Sequence, residues 1–181
     1  GFMQAIQHQR AMRGEARRPW VFKTPHYVLG ALDGLLSVWP DVKLVMTHRN
    51  VMDVLPSYCS MCASLSVNSS MTYRKDRQGA HWSRRFREGL ERLEAIRARL
   101  PQSQIIDVRY EETVSDSLGT ARKVMTALGW GFDDADRSAM DGAIAANARE
   151  ARPRHKYAAA DFGISTEDIA TTFAFYHERY L

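Results

Sequence analysis

Apolar positions fall into two rhythms along this chain, one helical and one extended. Val28, Leu29, Leu32, Leu35, Leu36 and Trp39 recur at helical spacing and predict an amphipathic helix over residues 28–39. Before it, Trp20-Val21-Phe22-Lys23 reads as a short strand ended by Pro25. After it, Pro40-Asp41 breaks the helix, and residues 42–47 are nearly continuous apolar, the pattern of a strand buried on both faces. Strand, helix and strand at this spacing predict a βαβ unit in a parallel sheet.

The same rhythms extend to both ends. A first helix covers residues 1–13, with Gly14 as its stop. A second long one covers residues 52–65, with Asp53 as a candidate cap and Pro56 tolerable only in its first turn. Residues 66–79 are polar and read as a mobile loop. A charged helix follows over 82–100, showing Phe86, Leu90, Leu93, Ile96 and Leu100 on one face. Ile105-Ile106-Asp107-Val108 is a third short strand. Helices are expected over 115–128, 134–147 and 169–180, with a basic irregular stretch over 149–161. No repeat or linker divides the chain, so one domain over residues 1–181 is expected.

Composition narrows the class without naming it. With 181 residues, a hydrophobic fraction of 45% and four Trp, the chain can bury a substantial core. Its formal charge of +4 favours anionic partners only weakly. No apolar run approaches the roughly 18 residues of a membrane span. The first residues resemble neither a signal peptide nor a natural start, and a cytoplasmic location is the expectation.

The chemistry sits where strands end. The first strand delivers Lys23, Thr24 and His26, and the second delivers His48 and Arg49. Ligands of open α/β sheets bind at the carboxyl ends of strands, so two cationic ends suggest a site for an anion. Arg49 has the planar fork that suits phosphate, and a helix start follows it. Each residue has a plainer account: His26 as a helix-start residue that packs, Lys23 as a solvated strand end, Arg49 as an ion-pair partner, and His48 as a spacer. Cys59 and Cys62 have C-x-x-C spacing but lack a second ligand pair, and read as small buried residues. His8, His48, His81 and His177 are too scattered to suggest a metal cluster.

Taken together, residues 20–26, the strand ending Thr47-His48-Arg49, and Ser57 eight residues beyond Arg49 resemble sulfotransferases that use 3'-phosphoadenosine 5'-phosphosulfate (PAPS), most closely their bacterial-type branch. Val108-Arg109-Tyr110-Glu111-Glu112 with Val124, Leu128, Gly129 and Trp130 is similar to the next landmark of that family. His155-Lys156-Tyr157 followed by Asp161-Phe162-Gly163-Ile164 is similar to its carboxy-terminal one. Two family features are absent. Asn50 and Val51 stand where an acidic residue and a proline are usual, and no Gly/Ser/Thr-rich phosphosulfate loop is found. The chain is therefore expected to be the carboxy-terminal two-thirds or more of such a domain.

The resemblance implies a three-layer α/β fold of the P-loop nucleoside-triphosphatase type, with a central parallel sheet and its first strand and loop missing. It implies sulfuryl transfer from PAPS to a hydroxyl or amine acceptor, a small molecule, glycan or lipid, leaving 3'-phosphoadenosine 5'-phosphate (PAP). No metal is needed for that chemistry. His26 would be the base and Lys23 the electrostatic stabiliser. Arg49 and Ser57 would clamp the 3'-phosphate, Tyr110 would lie near the adenine, and the basic loop of Arg152, Arg154 and Lys156 would close over the phosphate. For Tyr110 a packing role, and for the basic loop a solvated charge run, stay open. Rival classes remain: a degenerate domain that binds PAP or a partner protein without turnover, a nucleic-acid binder, and a nucleotide kinase of the same fold, whose phosphate-binding loop is missing too. The arginines lie among glutamates on separate segments, which argues against nucleic acid as a partner.

Overall fold

Leu44-Val45-Met46-Thr47-His48 forms β1 (Leu44–His48) and runs parallel to β2 (Ile105–Arg109), with Leu44 opposite Ile105 and His48 opposite Arg109. The structure, a computed structural model, describes residues 2–15, 18–66, 74–146 and 157–181. Two antiparallel strands could be joined by a tight turn, but parallel ones need a long crossover. Helices α3 (Val51–Ser66) and α4 (Gln78–Arg97) lie between β1 and β2 in the chain and pack on one another. Ahead of them come α1 (Phe2–Met12) and α2 (Leu32–Val38). After β2 follow α5 (Tyr110–Ser115), α6 (Ser117–Leu128), α7 (Asp134–Ala146), α8 (Thr166–Thr172) and α9 (Ala174–Tyr180).

The core lies between the sheet, α3, α4 and the carboxy-terminal helices. Leu55 and Cys59 from α3, Leu93 and Ile96 from α4, and Phe162, Ile169 and Phe173 from the last segment are all buried there. Leu55, Cys59, Ile169 and Phe173 have no exposed surface. Burying side chains of this size contributes roughly 1.5–3 kcal/mol each, enough to fix where the ends of β1 and β2 stand.

Several expectations are corrected. Residues 20–23 are not a strand. Trp20 and Phe22 do stack on the same side of the chain, with ring centres 6.0 Å apart, and Phe22 leans on Trp39. Among the described residues, however, no neighbouring strand pairs with their backbone, so the observed parallel unit is β1, α3, α4 and β2. β1 is not buried on both faces either: Leu44 and His48 are buried while Val45 is 42% exposed, because among the described residues only one edge of the strand is paired.

The helix expected from residue 28 starts at Leu32. Residues 25–27 form a single 3-10 turn, and Gly30 at φ +126° is a conformation no helix contains. That turn docks on α4 at Gly89, where a Cβ would come within 2.5 Å of the Val28 carbonyl oxygen. Pro56 is buried inside α3 rather than in its first turn, and the cap is Asn50, whose Oδ1 accepts the Met52 N–H at 2.9 Å. The helix expected from residue 115 follows a separate short helix, α5, and Asp116 caps the longer one by accepting the Gly119 N–H at 2.8 Å. The closing helix is broken at Phe173 into α8 and α9. Of the loop expected over 66–79, residues 67–73 lie outside the described residues, and α4 already begins at Gln78.

Candidate functional site

Register decides which residues meet at the carboxyl end of the sheet. His48 and Arg109 are partners, so the next residues in each strand, Arg49 and Tyr110, leave the sheet side by side. The Arg49 guanidinium lies over the Tyr110 ring, 4.1 Å from its centre. One turn along α3, Asp53 Oδ2 is 3.8 Å from Arg49 Nη2, a weak and largely solvated pair. Ser57 follows Asp53 by another four residues and is half-buried on the same face of α3. Arg49, Asp53 and Tyr110 thus form one cluster at the strand ends, with Ser57 one turn farther along α3.

Arg49 is held but not satisfied. Its Nε is buried and has no hydrogen-bond partner among the described residues, whereas its side chain is 36% exposed. An orphaned guanidinium N–H beside an open face fits an oxyanion that would complete its hydrogen bonds. Among the described residues no group of three or more His, Cys, Asp and Glu is arranged to hold a metal ion.

Behind Arg49 lies a polar network that the sequence reading passed over. His48 is buried, and its Nε2 is 2.8 Å from Asp107 Oδ1 on β2. A carboxylate can only accept, so the shared proton sits on Nε2, and Nδ1 lies 2.9 Å from the Tyr176 hydroxyl. Arg97 completes Asp107 with a bidentate pair. Burial alone would raise the Asp107 carboxyl, but hydrogen bonds from Arg97 and His48 outweigh it and hold it below the ordinary carboxylate range. Tyr180 stacks on His48 at 4.1 Å between ring centres and gives its hydroxyl proton to Glu94. His177 Nε2 accepts the Val51 N–H at 3.2 Å.

Two signals for this network were present in the sequence. Asp107 is a lone carboxylate inside an apolar strand, and Tyr176, His177 and Tyr180 share one short amphipathic segment.

Lys23 and His26 make no hydrogen bond or ion pair to this cluster among the described residues. Lys23 is exposed. His26 is also exposed, and its Nδ1 is 2.8 Å from Thr24 Oγ1, which also accepts the His26 main-chain N–H at 3.3 Å. Arg152, Arg154 and Lys156 lie outside the described residues.

These observations agree with what the chain is similar to. The profile of a sulfotransferase family matches residues 1–134. The crystal structure of sulfotransferase STF1 from Mycobacterium tuberculosis H37Rv is 32% identical, with a TM-score of 0.74 over 87% of this chain and 40% of that one. Sulfotransferase STF9 from Mycobacterium avium is 18% identical, with a TM-score of 0.81 over 96% of this chain and 45% of that one, a likeness of fold alone. No curated protein matches. The chain spans less than half the length of either solved structure. Most of its length nonetheless follows one family's pattern, with Arg49 at the head of α3, and the chain belongs to the sulfotransferase family.

Proposed function

We propose that this chain contributes to sulfuryl transfer from PAPS to a hydroxyl or amine acceptor, with the Arg49 cluster as the clamp for the 3'-phosphate. The observation that carries this reading is the orphaned, buried Arg49 Nε on a guanidinium whose side chain opens to solvent. PAPS would supply an activated sulfuryl group, its transfer leaving PAP. The expected three-layer arrangement of the P-loop type belongs to the same proposal, and the parallel strands with their helical crossover support it.

Arg49 would bind a phosphate oxygen through Nε and a terminal nitrogen, a geometry a lysine cannot copy. Ser57, on the same face of α3, would add a hydroxyl donor. One face of Tyr110 is already taken by Arg49, so an adenine would meet its other face or its edge. Lys23 would offset the negative charge that develops on transfer. His26 would take the acceptor's proton on Nε2, which requires Nδ1–H to be donated to Thr24 Oγ1, the contact observed at 2.8 Å. The basic loop carrying Arg152, Arg154 and Lys156 would close over the phosphate.

Calorimetric titration with PAP and with AMP, which lacks the 3'-phosphate, tests the reading. Tighter binding of PAP, with the preference lost in Arg49→Ala, is expected. Equal affinity for the two nucleotides, or a preference that survives Arg49→Ala, would overturn it.

A further inference from the structure

The segment that carries Arg49 is gripped from one side by a single short helix. Residues 48–51 are the last residue of β1, Arg49 itself, the cap residue Asn50 and the first residue of α3. Helix α9 touches this segment at both ends. The Tyr176 hydroxyl bonds His48 Nδ1 at 2.9 Å, and His177 Nε2 takes the Val51 N–H at 3.2 Å. Tyr180 adds a flat stack on the His48 ring, with only 8° between the planes.

We infer that α9, through the Tyr176 hydroxyl and the His177 ring, positions Arg49 for its anion, making Tyr176 and His177 positioning residues of the site. The inference rests on the reading of Arg49 as the 3'-phosphate clamp.

The physical case concerns orientation. A guanidinium on a long side chain gains a bidentate bond only if its backbone is fixed to within a fraction of an ångström. Strand pairing fixes residue 48 and the α3 helix fixes residue 51 onward, but the strand-to-helix corner between them has no ladder of its own. Its amides must be satisfied from outside. The Val51 N–H, an orphan of the first helical turn, is satisfied by His177, and Asn50 satisfies Met52. Burial raises the Tyr176 phenol to about 12, so it remains protonated across the working pH range. Asp107, held by Arg97, fixes the far side of the His48 ring, so the Tyr176 bond closes a chain from α4 through both strands to α9.

The test is a double-mutant cycle read as the ratio of PAP to AMP affinity in the full chain. Tyr176→Phe keeps the ring and removes only the hydroxyl. It should reduce the preference for PAP about tenfold, the scale of one charge-assisted hydrogen bond lost, while AMP affinity changes little. In an Arg49→Ala background the same substitution should change nothing further. Ile169→Val loosens the buried core elsewhere and should leave the ratio intact. His177→Leu should lower the ratio, and His177→Gln, which retains an acceptor for the Val51 N–H, should restore part of it; this pair decides the matter if Tyr176→Phe does not fold. Should Arg49→Ala abolish the preference while Tyr176→Phe and His177→Leu retain it, the inference falls and the 3'-phosphate reading stands. Should Arg49→Ala retain the preference, both fall.

Discussion

The Arg49 guanidinium rests 4.1 Å over the Tyr110 ring because His48 and Arg109, the residues just before them, are partners in the parallel ladder. Backbone register, not side-chain attraction, therefore brings cation and ring together. A shift of one residue in either strand would turn that strand's outward face inward and separate the pair. The stack then limits the side chain's freedom and leaves the guanidinium edge free for a ligand.

Replacing Tyr110 with Phe keeps the ring face that meets Arg49, so the stack itself should persist. Replacing it with Leu removes the ring's quadrupole and should weaken PAP binding about threefold, as expected for a cation–π contact at a partly exposed site. Titration of both variants with PAP checks this. Equal loss in Phe and Leu would mean that the hydroxyl, not the stack, is what matters.

Asp107 is the joint of the polar network, accepting from both His48 and Arg97. Asp107→Asn should destabilise the fold by about 2 kcal/mol in urea denaturation, since it leaves Arg97 without its charge partner. A fully buried pair would cost more, but the Asp107 side chain is 35% exposed. Its carboxyl is held below the ordinary range, so the network's contribution is complete above that range and is lost as pH falls through the depressed value. The variant should accordingly show a flatter acid limb than the wild type.

Much of this site could be read from local pattern, and the rest could not. The apolar run before Arg49 predicts β1 and places a cation at its carboxyl end, because both signals lie within a few residues. Residues 20–23 carry an equally good apolar pattern, yet a strand exists only where another offers its hydrogen bonds, and no residue of the segment says which. Tyr110-Glu111-Glu112 starts a helix because two acidic residues favour its first turn, ahead of the start at residue 115 that the pattern predicts. The grip of α9 on residues 48–51 joins groups 126 and 128 positions apart in the chain, beyond any periodicity.

Cys59 and Cys62 should be inert in the folded chain. Cys59 has no exposed surface, and burial raises its thiol to about 12. Burial also raises the Cys62 thiol, against a hydrogen bond with Tyr58 that opposes the rise. Because the thiolate is the reactive form, iodoacetamide at mildly alkaline pH should label neither until denaturant unfolds the chain. Rapid labelling of Cys59 in the native protein would contradict its placement between α3 and the core.

His177 should give the protein a pH dependence that one substitution removes. Its ring is half-buried, and burial lowers its pKa below the ordinary imidazole value of 6.5. In the fold Nε2 accepts the Val51 N–H, so protonation both adds a desolvated charge and replaces the acceptor with a donor facing a donor. The unfolded chain binds the proton more readily than the folded one. The stability that depends on neutral His177 is thus fully present above pH 6.5 and is lost as pH falls through the lower folded value. His177→Gln does not titrate and keeps an acceptor. The difference in unfolding free energy between wild type and this variant should therefore tilt against the wild type as pH drops, while other histidines cancel in the comparison. A difference independent of pH between neutral and mildly acidic buffer would show that His177 does not titrate against the fold, and that the Val51 contact is not what its neutral ring protects.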